Sequence, residues 1–225
     1  MTTRYEVLAF GEYFHIYNRG TDRRVIFSDR NDYLRFIELL FLSNSARSLN
    51  LRNIHKTYTS IYDFDRGEPL VYVGAYCLMP NHFHILLTPA VENGVEKFML
   101  KLSTGYSMYF NKRYERTGTL FQGRFKSQHA DTDEYLKYLF SYIHLNPVKL
   151  IQSDWKDVGI RDLEKVKAYL EKYSYSSLHD YFGKVRPENA IINPSKFPEY
   201  FSSKKEVDVE LLEWLTYGEY KGVVR

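Results

Sequence analysis

The sequence predicts an α+β protein whose core runs strand, helix, strand, strand, helix, strand around an antiparallel sheet. Three observations carry this. A short apolar run ends in a turn near residue 20, two longer apolar runs meet at Pro80-Asn81, and helical spacing fills the intervals. The 225 residues are 44% hydrophobic and 26% charged, enough for one sizeable core plus an appendage.

The first strand is "EYFHIYNRG" (Glu12 to Gly20), with Asn18 and Gly20 as turn formers. In "SDRNDYLRFIELLFL", Tyr33, Phe36, Ile37 and Leu40 recur at i, i+3, i+4, i+7, an amphipathic helix that Ser28 or Asp29 can cap. Residues from about Ser43 to Gly67 are polar and aperiodic and read as a long connection. "PLVYVGAYCLM" and "HFHILLT" are two strands joined by a tight turn at Pro80-Asn81. "GVEKFMLKLSTGYSMYFNKRY" is the second helix, with Val95, Phe98, Leu102 and Tyr109 on one side, and a fourth strand is expected between Arg124 and Ala130. This order is the ferredoxin-like arrangement, an antiparallel sheet with helices expected on one face.

Another helix, "DTDEYLKYLFSYIHLNP", has capping candidates at Asp131 to Asp133 and is expected to stop at Asn146, before Pro147. Beyond it lie a helix and turn in "RDLEKVKAYLEKYSYSSLHDYFG", a Pro-containing loop, and a C-terminal helix in "VDVELLEWLTYGEY". The expected division is a core of residues 1–150 and a mainly helical appendage of residues 151–225 packed on it.

Composition narrows the class. A net charge of +3 is weakly basic, so its distribution matters more than its size. The one cysteine, Cys77, excludes an internal disulfide and reads as a small core residue. The N-terminus shows no charged-then-apolar signal and no apolar run approaches membrane-spanning length, so a cytoplasmic protein with no membrane contact is expected. Tyrosine is abundant, at 21 residues beside 15 phenylalanines, which suits wet surfaces and stacking on bases.

Three groups of residues point to chemistry. In a strand, His82 and His84 share one face while Phe83, Ile85 and Leu87 share the other. Two imidazoles whose Cα atoms are roughly 7 Å apart can converge on one metal ion. A half-exposed pair hydrogen-bonded to neighbours is the ordinary alternative. On the helix that follows, Leu136, Leu139, Phe140 and Ile143 make the buried stripe, and Tyr138, Tyr142 and Asn146 form a second row beside it. His144 points nearly opposite Tyr142. Asn146 offers a neutral oxygen ligand and Tyr142 a hydroxyl nucleophile. Finally, Lys101, Lys112, Arg113, Arg116, Arg124 and Lys126 face the single acid Glu115 along one stretch that also carries Tyr106, Tyr109, Phe110, Tyr114, Phe121, Gln122 and Phe125. Cations for phosphates and rings for bases suit a single-stranded nucleic-acid groove, which Arg19, Arg23 and Arg24 would extend.

These residues resemble the HUH-type single-tyrosine transposases of bacterial insertion sequences, in particular the REP-associated tyrosine transposases. The matching segments are "GEYFHIYNRGTDRRVIF", "MPNHFH", "RTGTLFQGRFKS", "YIHLNPVKL" and "YSYSSLHDYFG", in family order over about residues 10 to 183. Tyr175 stands where the family usually has Trp, and relatives often carry Gln or another polar residue at the Asn146 position. The resemblance implies a ferredoxin-like fold and metal-dependent cleavage and joining of single-stranded DNA beside an imperfect hairpin. It makes His82 and His84 metal ligands, Asn146 a third ligand, Tyr142 the nucleophile, and Mg²⁺ or Mn²⁺ the cofactor. The expected DNA contacts are Arg19, Arg23, Arg24, Lys112, Arg113, Arg116, Phe121, Gln122, Arg124, Lys126 and Lys149. No P-loop is visible, in keeping with chemistry that needs no nucleotide cofactor. A monomer acting in cis is favoured over a dimer. Two other readings stay open: a relative that grips hairpin DNA or RNA without cutting it, and an unrelated histidine-metal hydrolase.

Overall fold

The computed structural model describes residues 8–47, 51–200 and 204–217. Four strands, β1 (Phe14–Arg19), β2 (Val71–Met79), β3 (His82–Pro89) and β4 (Lys126–His129), form one antiparallel sheet in the order β2-β3-β1-β4. Between them run α1 (Arg30–Leu42), α2 (Leu51–Thr57) and α3 (Gly94–Arg113). With α4 (Asp133–Leu145) following β4, this is the expected strand and helix order. Local chemistry sets the boundaries. The Asp29 carboxylate accepts from the backbone N–H groups of Asn31 and Asp32 to cap α1, and the Thr132 hydroxyl accepts from Tyr135 to cap α4. The two-residue turn at Pro80-Asn81 closes β2 on β3 with Met79 opposite His82. A bulge interrupts β2 at Gly74, where a Cβ would meet the Phe197 ring at 2.7 Å.

The two core helices share one face of the sheet, as expected, and the added helix α4 takes the other. Phe14, Ile16, Phe83, Ile85 and Leu87 pack against Phe36, Ile37 and Leu40 of α1 and Val95, Phe98 and Leu102 of α3. On the opposite face, Ala75, Cys77, Met79 and Leu86 are covered by Leu136, Leu139, Phe140 and Ile143 of α4. The reason lies in β2, which is buried at nearly every position and so needs apolar cover on both sides.

Past a 3₁₀ turn at Asn146–Leu150 come α5 (Trp155–Val158), α6 (Leu163–Leu170), α7 (Leu178–Tyr181) and α8 (Lys204–Tyr217). Their apolar residues form a third cluster with Leu145 and Val148 at the end of α4. The C-terminal helix expected up to Tyr220 is described only to Tyr217. This segment also covers the outer edge of β2: Leu78 N–H donates to Tyr175 O, Ser177 N–H to Tyr76 O, and Asn193 N–H to Val73 O. Among the described residues, no helix is long and apolar enough to cross a membrane.

Candidate active site

The register of β1 on β3 builds the floor of the site. Tyr17 lies opposite His84 and Arg19 opposite His82, so His15, Tyr17, Arg19, His82 and His84 share the face that α4 covers. The rings of His82 and His84 stand at 90° with centroids 5.0 Å apart. Each is tied at Nδ1. His82 Nδ1 lies 2.6 Å from Asn81 Oδ1, and His84 Nδ1 lies 2.8 Å from His15 Nε2.

The second row of α4 meets this floor. Tyr142 packs edge-on against His84, with centroids 5.5 Å apart and planes at 82°, and edge-on against His15 at 6.0 Å. Tyr138 lies one turn before, at 5.7 Å from Tyr142. One turn after, Asn146 donates through Nδ2 to the Tyr142 carbonyl at 2.8 Å. His144 points away, as its helical position predicts, and pairs with Ser177 Oγ at 2.8 Å inside the protein. Two cations complete the wall: Lys149 Nζ is 5.9 Å and Lys156 Nζ 4.8 Å from the centre of the Tyr142 ring.

Burial sets the protonation of these groups. It pushes His15 down to about 4, and His82 also to about 4 with help from Lys149 and Arg19. His84 is held well below the ordinary histidine range by burial, then by His15, His82 and Lys149. All three imidazoles are therefore neutral at pH 7, the form in which histidine binds metals. Burial raises the Tyr142 phenol, partly offset by the Asn146 side chain, and lowers Lys149.

Among the described residues, no group of three or more His, Cys, Asp or Glu is placed to hold a metal ion. The donor set here is of another kind. His84 Nε2 and Asn146 Oδ1 are buried and have no hydrogen-bond partner, although polar atoms so buried are normally paired. Both residues border Tyr142. With His82, these residues are the donor types a divalent cation takes, two imidazole nitrogens and one carboxamide oxygen. Cys77 is opposite His84 on β2, yet it is fully buried and burial raises its thiol, so it is structural.

The expected DNA contacts divide. Arg19, Arg23, Gln122 and Lys126 line a cavity of about 350 Å³ with Tyr17, Asn18, Asn81 and His82. Arg19 is held there by a hydrogen bond from Nε to Gln122 Oε1. Lys149 stands at the Tyr142 wall. Arg24 folds back to donate to Thr21 O at 3.1 Å. Arg124 borders a separate groove between α3 and the loop at residues 118–125, Lys112 is exposed near the end of α3, and Arg116 donates to Asn111 Oδ1. Two of the expected contacts have partners inside the protein. Arg113 is committed to an ion-pair network, donating to Asp29 at 2.5 Å and to fully buried Asp32 at 2.8 Å. Phe121 is buried, edge-on to Phe83 at 5.8 Å.

Sequence reasoning missed His15, Tyr17, Asn81 and Lys156. Alternation along "FHIYNR" puts His15 and Tyr17 on one face of β1, a signal that becomes specific only once the register with β3 is known. Nothing in the sequence points to Lys156.

The fold is similar to that of the REP-associated tyrosine transposase solved bound to a REP hairpin, with a TM-score of 0.51 and 13% identity, covering 84% of this chain and 90% of that one. At that identity the likeness is one of fold. Residues 13–146, well over half the chain, match the family model for IS200-like transposases, and the chain belongs to that family. The matched span runs from the start of β1 through Asn146 and so contains His82, His84 and Tyr142. No curated protein matches it.

Proposed function

We propose that this chain is a metal-dependent single-strand DNA endonuclease and strand transferase of the REP-associated branch, cutting beside imperfect hairpins with Tyr142 as nucleophile. The observation that supports it most is the contact of Tyr142 with His84, whose buried Nε2, like Asn146 Oδ1, no protein group satisfies. The fold relative bound to a REP hairpin supports hairpin DNA as the partner.

In this reading the Tyr142 hydroxyl oxygen attacks the scissile phosphorus, forming the Oη–P bond as the P–O3′ bond breaks. The phenol loses its proton to water or Lys149, and the departing 3′ oxygen gains one. The products are a 5′-phosphotyrosine and a free 3′-hydroxyl. The ester keeps the phosphate activated for joining to another 3′-hydroxyl, so no nucleotide cofactor is required. A divalent ion, Mg²⁺ or Mn²⁺, held by His82, His84 and Asn146 would supply neutralisation of the phosphate charge that builds in the transition state. The chain contributes the remainder. Burial keeps the phenol protonated until attack, and the Lys156 ammonium group lies 4.8 Å from the centre of the ring that gains negative charge. Arg19, Arg23 and Lys126 meet the DNA backbone next to His82, and Tyr17 offers a ring to an unpaired base.

The contact of Tyr142 with His84 supports chemistry in cis, and we propose a monomer. Residues 1–150 then serve as the catalytic domain, with the appendage from residue 151 holding α4 in place. We place its work in the cytoplasm, with no membrane partner.

The test is to incubate the full chain with Mn²⁺ or Mg²⁺ and labelled single-stranded hairpin DNA, then run a denaturing protein gel. A covalent adduct in the wild type that is absent from Tyr142→Phe is expected. Tight hairpin binding with no adduct under either metal would overturn cleavage and identify a hairpin-binding protein that does not cut.

A further inference from the structure

Both metal-facing histidines are tied at Nδ1, but by partners of different kinds. At His82 the proton is assigned by the network. Asn81 Nδ2 donates to the Arg23 carbonyl at 3.2 Å, so Asn81 Oδ1 is the acceptor and His82 Nδ1–H the donor at 2.6 Å. His82 Nε2 is left with a bare lone pair. At His84 the partner is another imidazole, His15 Nε2 at 2.8 Å, which can either give or take the proton.

The two possibilities have opposite consequences. If His15 Nε2 donates, His84 must carry its own proton on Nε2, and that atom becomes a buried N–H with no acceptor that cannot bind a cation. If His15 Nε2 accepts, His84 Nδ1 carries the proton and Nε2 presents a lone pair. His84 Nε2 is buried and unpaired, and so is Asn146 Oδ1 on the facing helix. A bare Nε2 lone pair can ligate a cation of the kind that the carboxamide oxygen also accepts, whereas a protonated Nε2 cannot.

We propose that His15 is a positioning residue: its Nε2 accepts the His84 Nδ1 proton and so fixes His84 in the tautomer whose Nε2 can ligate a divalent metal. Strand register makes this specific. His15 pairs with Leu86, two residues beyond His84 on the same face, and its ring stacks on His84 at 5.0 Å and 23°. The inference rests on the metal-dependent reading above and extends it to a residue outside the His-x-His motif.

Long-range ¹H–¹⁵N correlation on the full-length, metal-free protein reads the tautomers directly. His84 protonated at Nδ1, with His15 unprotonated at Nε2, is expected. His84 protonated at Nε2 in a chain that still binds Mn²⁺ would overturn the role of His15 while leaving the metal reading intact. Wild-type protein that binds no Mn²⁺ would overturn that reading and this inference with it. Variants add a second readout, with folding checked by circular dichroism. His15→Gln keeps an acceptor at the same reach and is expected to hold Mn²⁺ affinity within a few-fold by electron paramagnetic resonance. His15→Phe keeps the ring but no acceptor and is expected to lose roughly 10–100-fold, the usual effect of removing such a partner. Equal Mn²⁺ affinity in both variants would contradict the proposal.

Discussion

The ring of Tyr142 meets that of His84 edge-on, 5.5 Å between centroids, although the two residues come from different elements 58 positions apart in the chain. The contact needs β3 to turn His84 toward α4 and α4 to turn its second row toward the sheet. Neither orientation depends on the phenol oxygen. Tyr142→Phe is therefore expected to keep its fold and its hairpin affinity within about twofold while losing cleavage entirely. Gel-shift and nicking assays on the same preparation check this, and a parallel loss of binding would count against it.

On the proposed reading, a metal that takes His84 Nε2 and Asn146 Oδ1, both buried and unpartnered, stabilises the fold as well. At a hundredfold excess over its Kd, a ligand bound only by the native state adds about 2.7 kcal/mol, or roughly 5–10 °C in Tm for a chain of this size. Mn²⁺ should raise the Tm by that order in the wild type and hardly at all in His84→Ala. Removing metal with a chelator should reverse the rise, as differential scanning fluorimetry would show.

The basic residues differ in what they do. Lys126 lines the cavity next to His82, whereas Arg113 is bound to Asp29 and to Asp32. Lys126→Ala should weaken hairpin binding and reduce the salt slope by about 0.7, the value for one phosphate contact on a single strand. Arg113→Ala should leave that slope unchanged and lower the urea midpoint, because it strips a partner from a buried carboxylate. Binding titrations between 50 and 200 mM salt, with urea melts beside them, would separate the two.

Buried neutral histidines set the response to acid. His144 is pushed down to about 3 and His15 to about 4, both by burial. Between the unfolded value near 6.5 and these native values, the unfolded chain binds protons that the native chain does not, so stability falls as pH drops through that window. At pH 5 each such histidine costs about 2 kcal/mol relative to pH 8. Urea melts at pH 8, 6 and 5 should show a steady decline, shallower in His144→Leu. A flat profile would mean that these imidazoles are already charged or exposed.

Much of this site could be read from the sequence because it obeys simple periods. Alternation placed His82 and His84 together against Phe83 and Ile85, and the 100° step of a helix put Tyr142 and Asn146 in one row with His144 behind them. What could not be read depends on which elements face each other. His15 gains meaning only from its register beside His84. Lys156 reaches Tyr142 through the packing of a segment with no periodic link to α4. Counting charge along the chain also gave no sign of the Arg113 ion pairs, because linear spacing does not show that its side of α3 looks toward Asp32 of α1.

The identity of the attacking residue is the most exposed claim, because Tyr17 and Tyr138 also lie near, at 6.1 Å from His84 and 5.7 Å from Tyr142. Proteolysis of the trapped protein–DNA adduct followed by mass spectrometry locates the linkage. The expected result is a 5′-phosphonucleotide on the peptide containing Tyr142 and on no other. Attachment at Tyr17 or Tyr138, or a cleaved strand with no protein attached in the wild type, would contradict it.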